Sequence, residues 1–320
     1  METIGNPWLW GGFAAVVIVA LLVDLMLMRH GGPHKVTFKE ALWWSLGWIA
    51  LAMAFNAGLW FYLKETADIA TANTLGLQFL TGYLIEKALA VDNIFVFLLI
   101  MSYFSVPEIQ RQRVLIIGIL GAIALRTIMI FAGAALVHEF EWVLYLFGAF
   151  LLFTGWKMWS AHGEEPDLND NPALKFMRKH LKISNEYNGN NLMVEKNGIK
   201  WFTPMFVVLV LIAVTDVIFA VDSIPAIFAI TTDPFIVLTS NVFAVLGLRA
   251  MFFMLAGMAD RFHLLPYGLS IILGFIGIKM LLIDIYKIPV PASLGVVFSI
   301  LVITMVLSLK IPPKGGSAKG

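Results

Sequence analysis

The sequence predicts an all-α, polytopic membrane protein with about nine transmembrane helices containing an inverted 3+3 helix repeat. Three observations carry this prediction. Of 320 residues, 60% are hydrophobic and 13% charged, with a mean hydropathy of +0.86, far outside the range of a soluble domain. The apolar residues fall into runs of the ~20 residues that a helix needs to cross a bilayer. Inside those runs one acidic pattern occurs twice, as Glu86-Lys-Ala-Leu-Ala-Val-Asp92-Asn93 and Asp216-Val-Ile-Phe-Ala-Val-Asp222-Ser223.

Taken in order, the runs place spans at 8–28, 41–63, 77–103, 114–136, 142–160, 203–231, 235–258, 265–285 and 289–309. The first has no basic segment before it and no small-residue cleavage site, so we expect a retained span rather than a signal peptide. Its Asp24 has two readings, a pathway residue or a side chain reaching the interface. Residues 1–76 hold spans one and two, 77–160 the first repeat, 203–285 the second, and 286–320 the last span with a tail. Between the repeats, 161–202 reads as a cytoplasmic loop. Its Asn197-Gly198 lies between apolar-rich stretches, as in a β-hairpin turn. Asp167-x-Asn169-x-Asn171 imitates the start of a calcium loop, but Pro172 stands where a glycine is required and Arg178 where the closing glutamate belongs.

The repeat extends beyond the acids. Leu125-Arg126 and Gly155-x-Lys157-Met158 follow the first motif; Leu248-Arg249 and Gly277-x-Lys279-Met280 follow the second. Three helices per copy is an odd number, so the second copy is inverted. Such repeats place substrate sites near the midplane, between the halves. Pro225, three residues after Asp222, has no amide hydrogen and leaves the carbonyl of Val221 without its helical donor. This reads either as a simple kink or as a backbone ligand.

Acids in a bilayer are costly and mark ion pathways, which makes Glu86, Asp92, Asp216 and Asp222 the candidate metal ligands. Six residues of helix give ~9 Å of rise and ~240° of rotation, so one straight helix cannot present both its acids to one ion. Asn93 shares the stripe of Glu86, and Ser223 that of Asp216. With Val221 they are the auxiliary ligands. We expect Asp92 and Asp222 as a deep pair across the repeat interface, and Glu86 with Asp216 as a second pair. Oxygen ligands suit Mg²⁺, Ca²⁺ or Mn²⁺. All six histidines fall outside the spans or at their ends. Lys87, Arg126, Lys157, Arg249 and Lys279 are intramembrane charge partners, against which stands a purely structural reading: buried ion pairs that hold helices together.

Lysine and arginine set the orientation. Fifteen fall on the side of the 161–202 loop and the C-terminal tail, and two, Lys64 and Lys287, on the other. The positive-inside rule then puts the N-terminus outside and the C-terminus in the cytoplasm. A net charge of +1 offers no basis for nucleic-acid binding, and the absence of cysteine excludes disulfides and thiol chemistry in the chain itself. No nucleophile arrangement or phosphate loop points to an enzyme, and no permanently bound cofactor is expected. The partners expected are a divalent metal ion, the lipid bilayer and protons as a coupling ion. Oligomeric state is left open.

Gly82-Tyr-Leu-Ile-Glu86-Lys87, Ala90-Val-Asp92-Asn93, Leu125-Arg126, Asn197-Gly198, Asp216 through Pro225 and Gly247-Leu-Arg249-Ala250 resemble the TerC/Alx family of bacterial membrane proteins over essentially the whole chain. The resemblance implies a multi-pass inner-membrane protein of manganese homeostasis, with Mn²⁺ export as the leading role and Glu86, Asp92, Asp216 and Asp222 as the transport residues. It also implies the family's association with tellurite resistance and with a redox-modulating role at alkaline pH. The alternatives are a scaffold or stress- and redox-associated accessory protein, and an exporter of a small organic solute.

Overall fold

A computed structural model describes residues 3–31, 36–140, 142–160, 171–184, 187–189, 191–196, 199–256, 264–286 and 288–311. The described residues are helical almost throughout, because a segment in hydrocarbon must satisfy its backbone groups internally. Helices α1 (Pro7–Gly31), α2 (Phe38–Thr66), α3 (Ile69–Tyr103), α4 (Glu108–Glu139) and α5 (Val143–Ser160) cover the first five expected spans. After them come α6 (Pro172–His180), a hairpin of β1 (Met193–Lys196) and β2 (Ile199–Phe202), then α7 (Pro204–Phe228), α8 (Pro234–Leu246), α9 (Leu248–Ala256), α10 (Leu265–Leu281) and α11 (Val290–Lys310). Among the described residues, α1, α2, α4, α5, α7, α8 with α9, and α11 form seven segments long and apolar enough to cross a membrane; α10 is a shorter apolar helix.

Helix starts follow local chemistry. Thr37 caps α2 by accepting the amide of Glu40 (3.3 Å). Asp68 caps α3 by accepting both the amide (2.8 Å) and the hydroxyl (2.7 Å) of Thr71. These bonds favour its ionised form and hold the carboxyl below its usual range.

Three local features differ from expectation or add to it. Pro225 does not interrupt its helix, since α7 runs through it to Phe228 and the proline occupies the last turn. The interruption falls one span later, at Gly247 between α8 and α9. A Cβ at Gly247 would lie 2.6 Å from Lys87 Nζ and 3.2 Å from Trp48 Cβ, so the missing side chain leaves room for Lys87. Residues 171–184 are more than a charged loop: Asn171 Oδ1 accepts the amides of Ala173 (2.9 Å) and Leu174 (3.2 Å) and so starts α6. That use of Asn171 agrees with rejecting a calcium loop, whose Asp167 and Asn169 lie outside the described residues. The hairpin is present, with Lys196 opposite Ile199; its turn, Asn197-Gly198, also lies outside them.

The appendage is fastened to the bundle. Leu174 and Met177 are buried against a cluster that includes Val207 and Leu211 of α7. Tyr187 donates to the carbonyl of Phe104 (2.7 Å), and burial pushes its hydroxyl pKa up to about 12.

In the bundle, α8 is the innermost helix, with every residue from Pro234 to Leu246 buried. It packs on α2, α3 and α4. On one side α5 and α10 cross at glycines. A Cβ on Gly277 would sit 2.8 Å from the carbonyl oxygen of Gly148, and one on Gly155 would sit 2.9 Å from that of Ser270. Backbones approach this closely only where side chains are absent.

Candidate functional site: a buried carboxylate–arginine cluster

The inward face of α3 carries Phe79, Gly82, Glu86, Ala90, Asn93 and Phe97, spaced three or four residues apart. All of the side chains on it are buried. Ile212, Asp216, Ala220, Ser223 and Ile227 form the matching buried face of α7. These are the stripes expected from the sequence, and α3 and α7 pack together. Gly82 lets α8 approach, since a Cβ there would stand 2.9 Å from Ser240 Oγ. The next residue of α8, Asn241, is thereby brought to Glu86.

Arg126 of α4 joins these elements. It is 1% exposed, against 0% for Glu86, 4% for Asp216 and 0% for Asn241. Its Nη1 donates to Glu86 Oε1 and to Asn241 Oδ1 (2.9 Å), while Asn241 Nδ2 donates to Glu86 Oε2 (3.1 Å). Both oxygens of Glu86 are thus engaged. Asp216 is held more loosely: its Oδ1 lies 3.8 Å from Arg126 Nη2, an ion pair too long for a hydrogen bond. With all three groups ionised, two carboxylates face one guanidinium and leave a net charge of −1.

Several polar atoms here lack partners. Arg126 Nε and Nη2, Asn93 Nδ2 and Ser223 Oγ are buried without a hydrogen bond. Such atoms cost free energy comparable to a lost hydrogen bond, and in native proteins most are satisfied by water or a ligand.

The four sequence-predicted ligands do not gather at one point. Glu86 and Asp216 meet at Arg126. Asp222, on a different stripe of α7, instead faces α5 and accepts from Thr154 Oγ1 (3.3 Å), with Lys157 within electrostatic reach. Asp92 lies on α3, but its side chain is outside the described residues. Among the described residues no group of three or more acid or histidine side chains could hold a metal ion. The side chain of Val221 is 43% exposed and turns away from the buried face of α7.

The bases divide unevenly, contrary to the symmetry of the motifs. Arg126 serves acids of both repeats, whereas Arg249 pairs with Asp24 of α1, and both of those residues are largely enclosed. Asp24 is therefore held inside the bundle by Arg249. Lys87 donates to the carbonyl of Ala244 (3.1 Å) at the end of α8 and lies 5.7 Å from the centre of the Tyr83 ring. It caps a broken helix, a favourable place for a cation. Lys279 is buried, and Lys157 is exposed on the bundle surface.

Asn241 and Thr154 were not foreseen. The available signal was an uncharged polar side chain inside an apolar span, which tends to bond across helices. Thr239 and Ser240 carry the same signal yet bond back to the carbonyls of Phe235 and Ile236 (both 2.7 Å). Polarity alone does not separate the two behaviours.

The profile of the integral membrane protein TerC family matches residues 71–314, which include every residue of this cluster. The chain belongs to the TerC family. It is 57% identical over 308 residues, 96% of each chain, to the Escherichia coli K12 protein named "Putative membrane-bound redox modulator Alx". An uncharacterized membrane protein of Myxococcus xanthus is 47% identical over 97% of this chain and 95% of its own. One from Rickettsia felis is 39% identical over 94% and 97%. No solved structure matches this TerC family member.

Proposed function

We propose that this TerC family protein is an inner-membrane transporter that exports a hard divalent cation from the cytoplasm, with manganese as the first candidate. One observation carries the reading: Glu86 of α3 and Asp216 of α7 meet around a single arginine, with a net negative charge and unpartnered polar atoms beside them. A cluster built only to hold helices together gains little from a second carboxylate held at 3.8 Å. A doubly charged cation is the substrate that would neutralise both acids. In its absence Arg126 holds them, and Asp92 and Asp222 are further stations along the path.

The architecture we propose has nine crossings, counting α3 and α10 with the seven apolar segments, and an inverted repeat of α3–α5 with α7–α10. Aligning Gly155 with Gly277 aligns Gly148 with Ser270. The contacts Gly148–Gly277 and Gly155–Ser270 then become images of one another. The packing of α3 on α8 and of α4 on α7 follows the same exchange. The N-terminus lies outside and the C-terminus in the cytoplasm, in keeping with the loop charges. Alternating access would rock the two halves, with protons as counter-ion and no enzymatic step.

The test is flux in proteoliposomes, comparing Mn²⁺, Mg²⁺ and Ca²⁺ with amino acids. Saturable Mn²⁺ flux that disappears in Glu86→Gln and Asp216→Asn is the expected result. Flux of organic solutes without cation flux would replace the substrate. A redox-associated accessory role is the second reading, favoured by the name of the E. coli relative. With no cysteine, the chain would need a partner for any thiol chemistry.

A further inference from the structure

Two cavities of about 850 Å³ and 290 Å³ follow one another along α2, α3 and α11, on the face of α3 opposite the acid cluster, and α9, through Met251, Met254 and Leu255, closes the inner one together with Leu265 of α10. The lining of the first runs along α3 from Asn73 to Leu80, and that of the second from Leu84 to Val91. On α2 and α11 the lining residues step along in the same way. Lined up along the same helices, the two chambers read as one groove. From Asn73 to Lys87 its floor is about 21 Å of helix, enough to pass from one interface to the middle of a ~30 Å hydrocarbon core.

Its two ends differ in chemistry. At the wide mouth Trp60 Nε1 donates to Asn73 Oδ1 (2.8 Å), and Lys64 Nζ lies 5.6 Å from the centre of the Trp60 ring. Lysine with tryptophan is the usual composition of a membrane interface. Asn56 Oδ1, also at the mouth, is buried and has no donor. The inner chamber is lined by apolar side chains apart from Ser45 and Lys87, and Lys87 Nζ is engaged by the Ala244 carbonyl. Phe298, Val302 and Met305 on its rim are exposed on the membrane-facing surface, so the groove opens sideways to lipid.

We propose that this groove binds one phospholipid, its headgroup at Lys64, Trp60 and Asn56 and one acyl chain in the inner chamber. Three features select that occupant. The polarity falls from mouth to interior, as it does along a lipid. Lys64 suits the phosphate, and the free carbonyl of Asn56 needs a donor that an ethanolamine or glycerol headgroup has and a choline headgroup lacks. The chain end would lie beside Lys87, next in sequence to Glu86, so occupancy bears on the helix that carries the first acid. The proposal does not rest on cation transport.

The full-length protein would be reconstituted in nanodiscs with phosphatidylethanolamine carrying a diazirine near the acyl terminus, then irradiated and mapped by peptide mass spectrometry. Adducts should concentrate on the α2, α3, α9 and α11 segments lining the inner chamber and saturate with probe. Unlabelled phosphatidylethanolamine should compete better than phosphatidylcholine. Val302→Trp, at the exposed rim, and Ala88→Trp, inside, should each lower labelling several-fold, whereas Ile18→Trp on the lipid-facing surface of α1 should not. Unsaturable adducts spread equally over α1 and α5 in the wild-type chain would overturn the site, without reliance on any variant's folding. Equal competition by the two lipids would overturn the headgroup assignment.

Discussion

Arg126 stands between two acids drawn from separate parts of the chain, and the consequences of changing it follow from what it leaves behind. Arg126→Ala would strand Glu86 and Asp216 in a site closed to water. Removing one partner of a buried ion pair costs about 3–5 kcal/mol, so we expect a sharp loss of folded protein, read as a lower melting temperature in detergent. Arg126→Ala combined with Glu86→Gln should recover much of that loss, because one negative charge leaves with the positive one. Asn241→Leu is milder: Glu86 Oε2 loses its neutral donor, at about 1–3 kcal/mol for an unsatisfied buried group. At this scale the sequence was informative about identity and less so about partnership. Both stripes, Glu86 with Asn93 and Asp216 with Ser223, could be read from helical spacing. That Glu86 would meet Asp216 at Arg126, while Asp222 turned to Thr154, depends on which helix faces which stripe. Spacing within one helix carries no such information.

Element by element, the close contacts make the firmest claims. At Gly277 a Cβ would meet the Gly148 carbonyl at 2.8 Å, and a backbone atom cannot step aside as a side chain can. Gly277→Ala should therefore push α5 from α10 and cost about 1–3 kcal/mol, measurable as a fall in thermal stability. Gly274→Ala is the control, as nothing lies within 4 Å of its added carbon. The cap of α3 gives a pH prediction. Asp68 has a carboxyl pKa depressed in the folded state, so its capping contribution is full above the unfolded value of about 4 and is lost as pH falls through the folded value. The protection of the Thr71 amide, taken relative to its intrinsic exchange rate at each pH, should fall in that acid range, and Asp68→Asn should remove most of this pH dependence. Element positions were legible because long apolar runs leave few alternatives, although α3 starts at Ile69, where Asp68 caps it, before the span expected from 77. The break at Gly247 was not. A glycine in an apolar run is ordinary, and only the approach of Lys87 and Trp48 explains this one.

For the whole molecule, the asymmetry of the arginines is the feature to test. If the halves exchange roles during transport, the Arg126 cluster and the Arg249–Asp24 pair belong to one arrangement of the bundle. Locking it by a cysteine pair introduced across α1 and α9 in this cysteine-free chain should stop Mn²⁺ flux, and reduction should restore it. Unchanged flux in the oxidised protein would rule out movement there. Reporter fusions supply the topological check: a C-terminal fusion should be active only as a cytoplasmic reporter. By itself the sequence determined that the chain lives in a membrane, which stretches form its long apolar helices, and which acids carry an unusual electrostatic cost. Composition, periodicity and local capping are properties of neighbouring residues, and neighbours are what a sequence lists. Only the tertiary structure decided that Arg126 would unite Glu86 with Asp216, that Asp24 would claim Arg249 and that α8 would be enclosed on all sides. Those outcomes are set by packing between helices remote in sequence, where a missing Cβ at Gly82 or Gly247 determines who can touch whom.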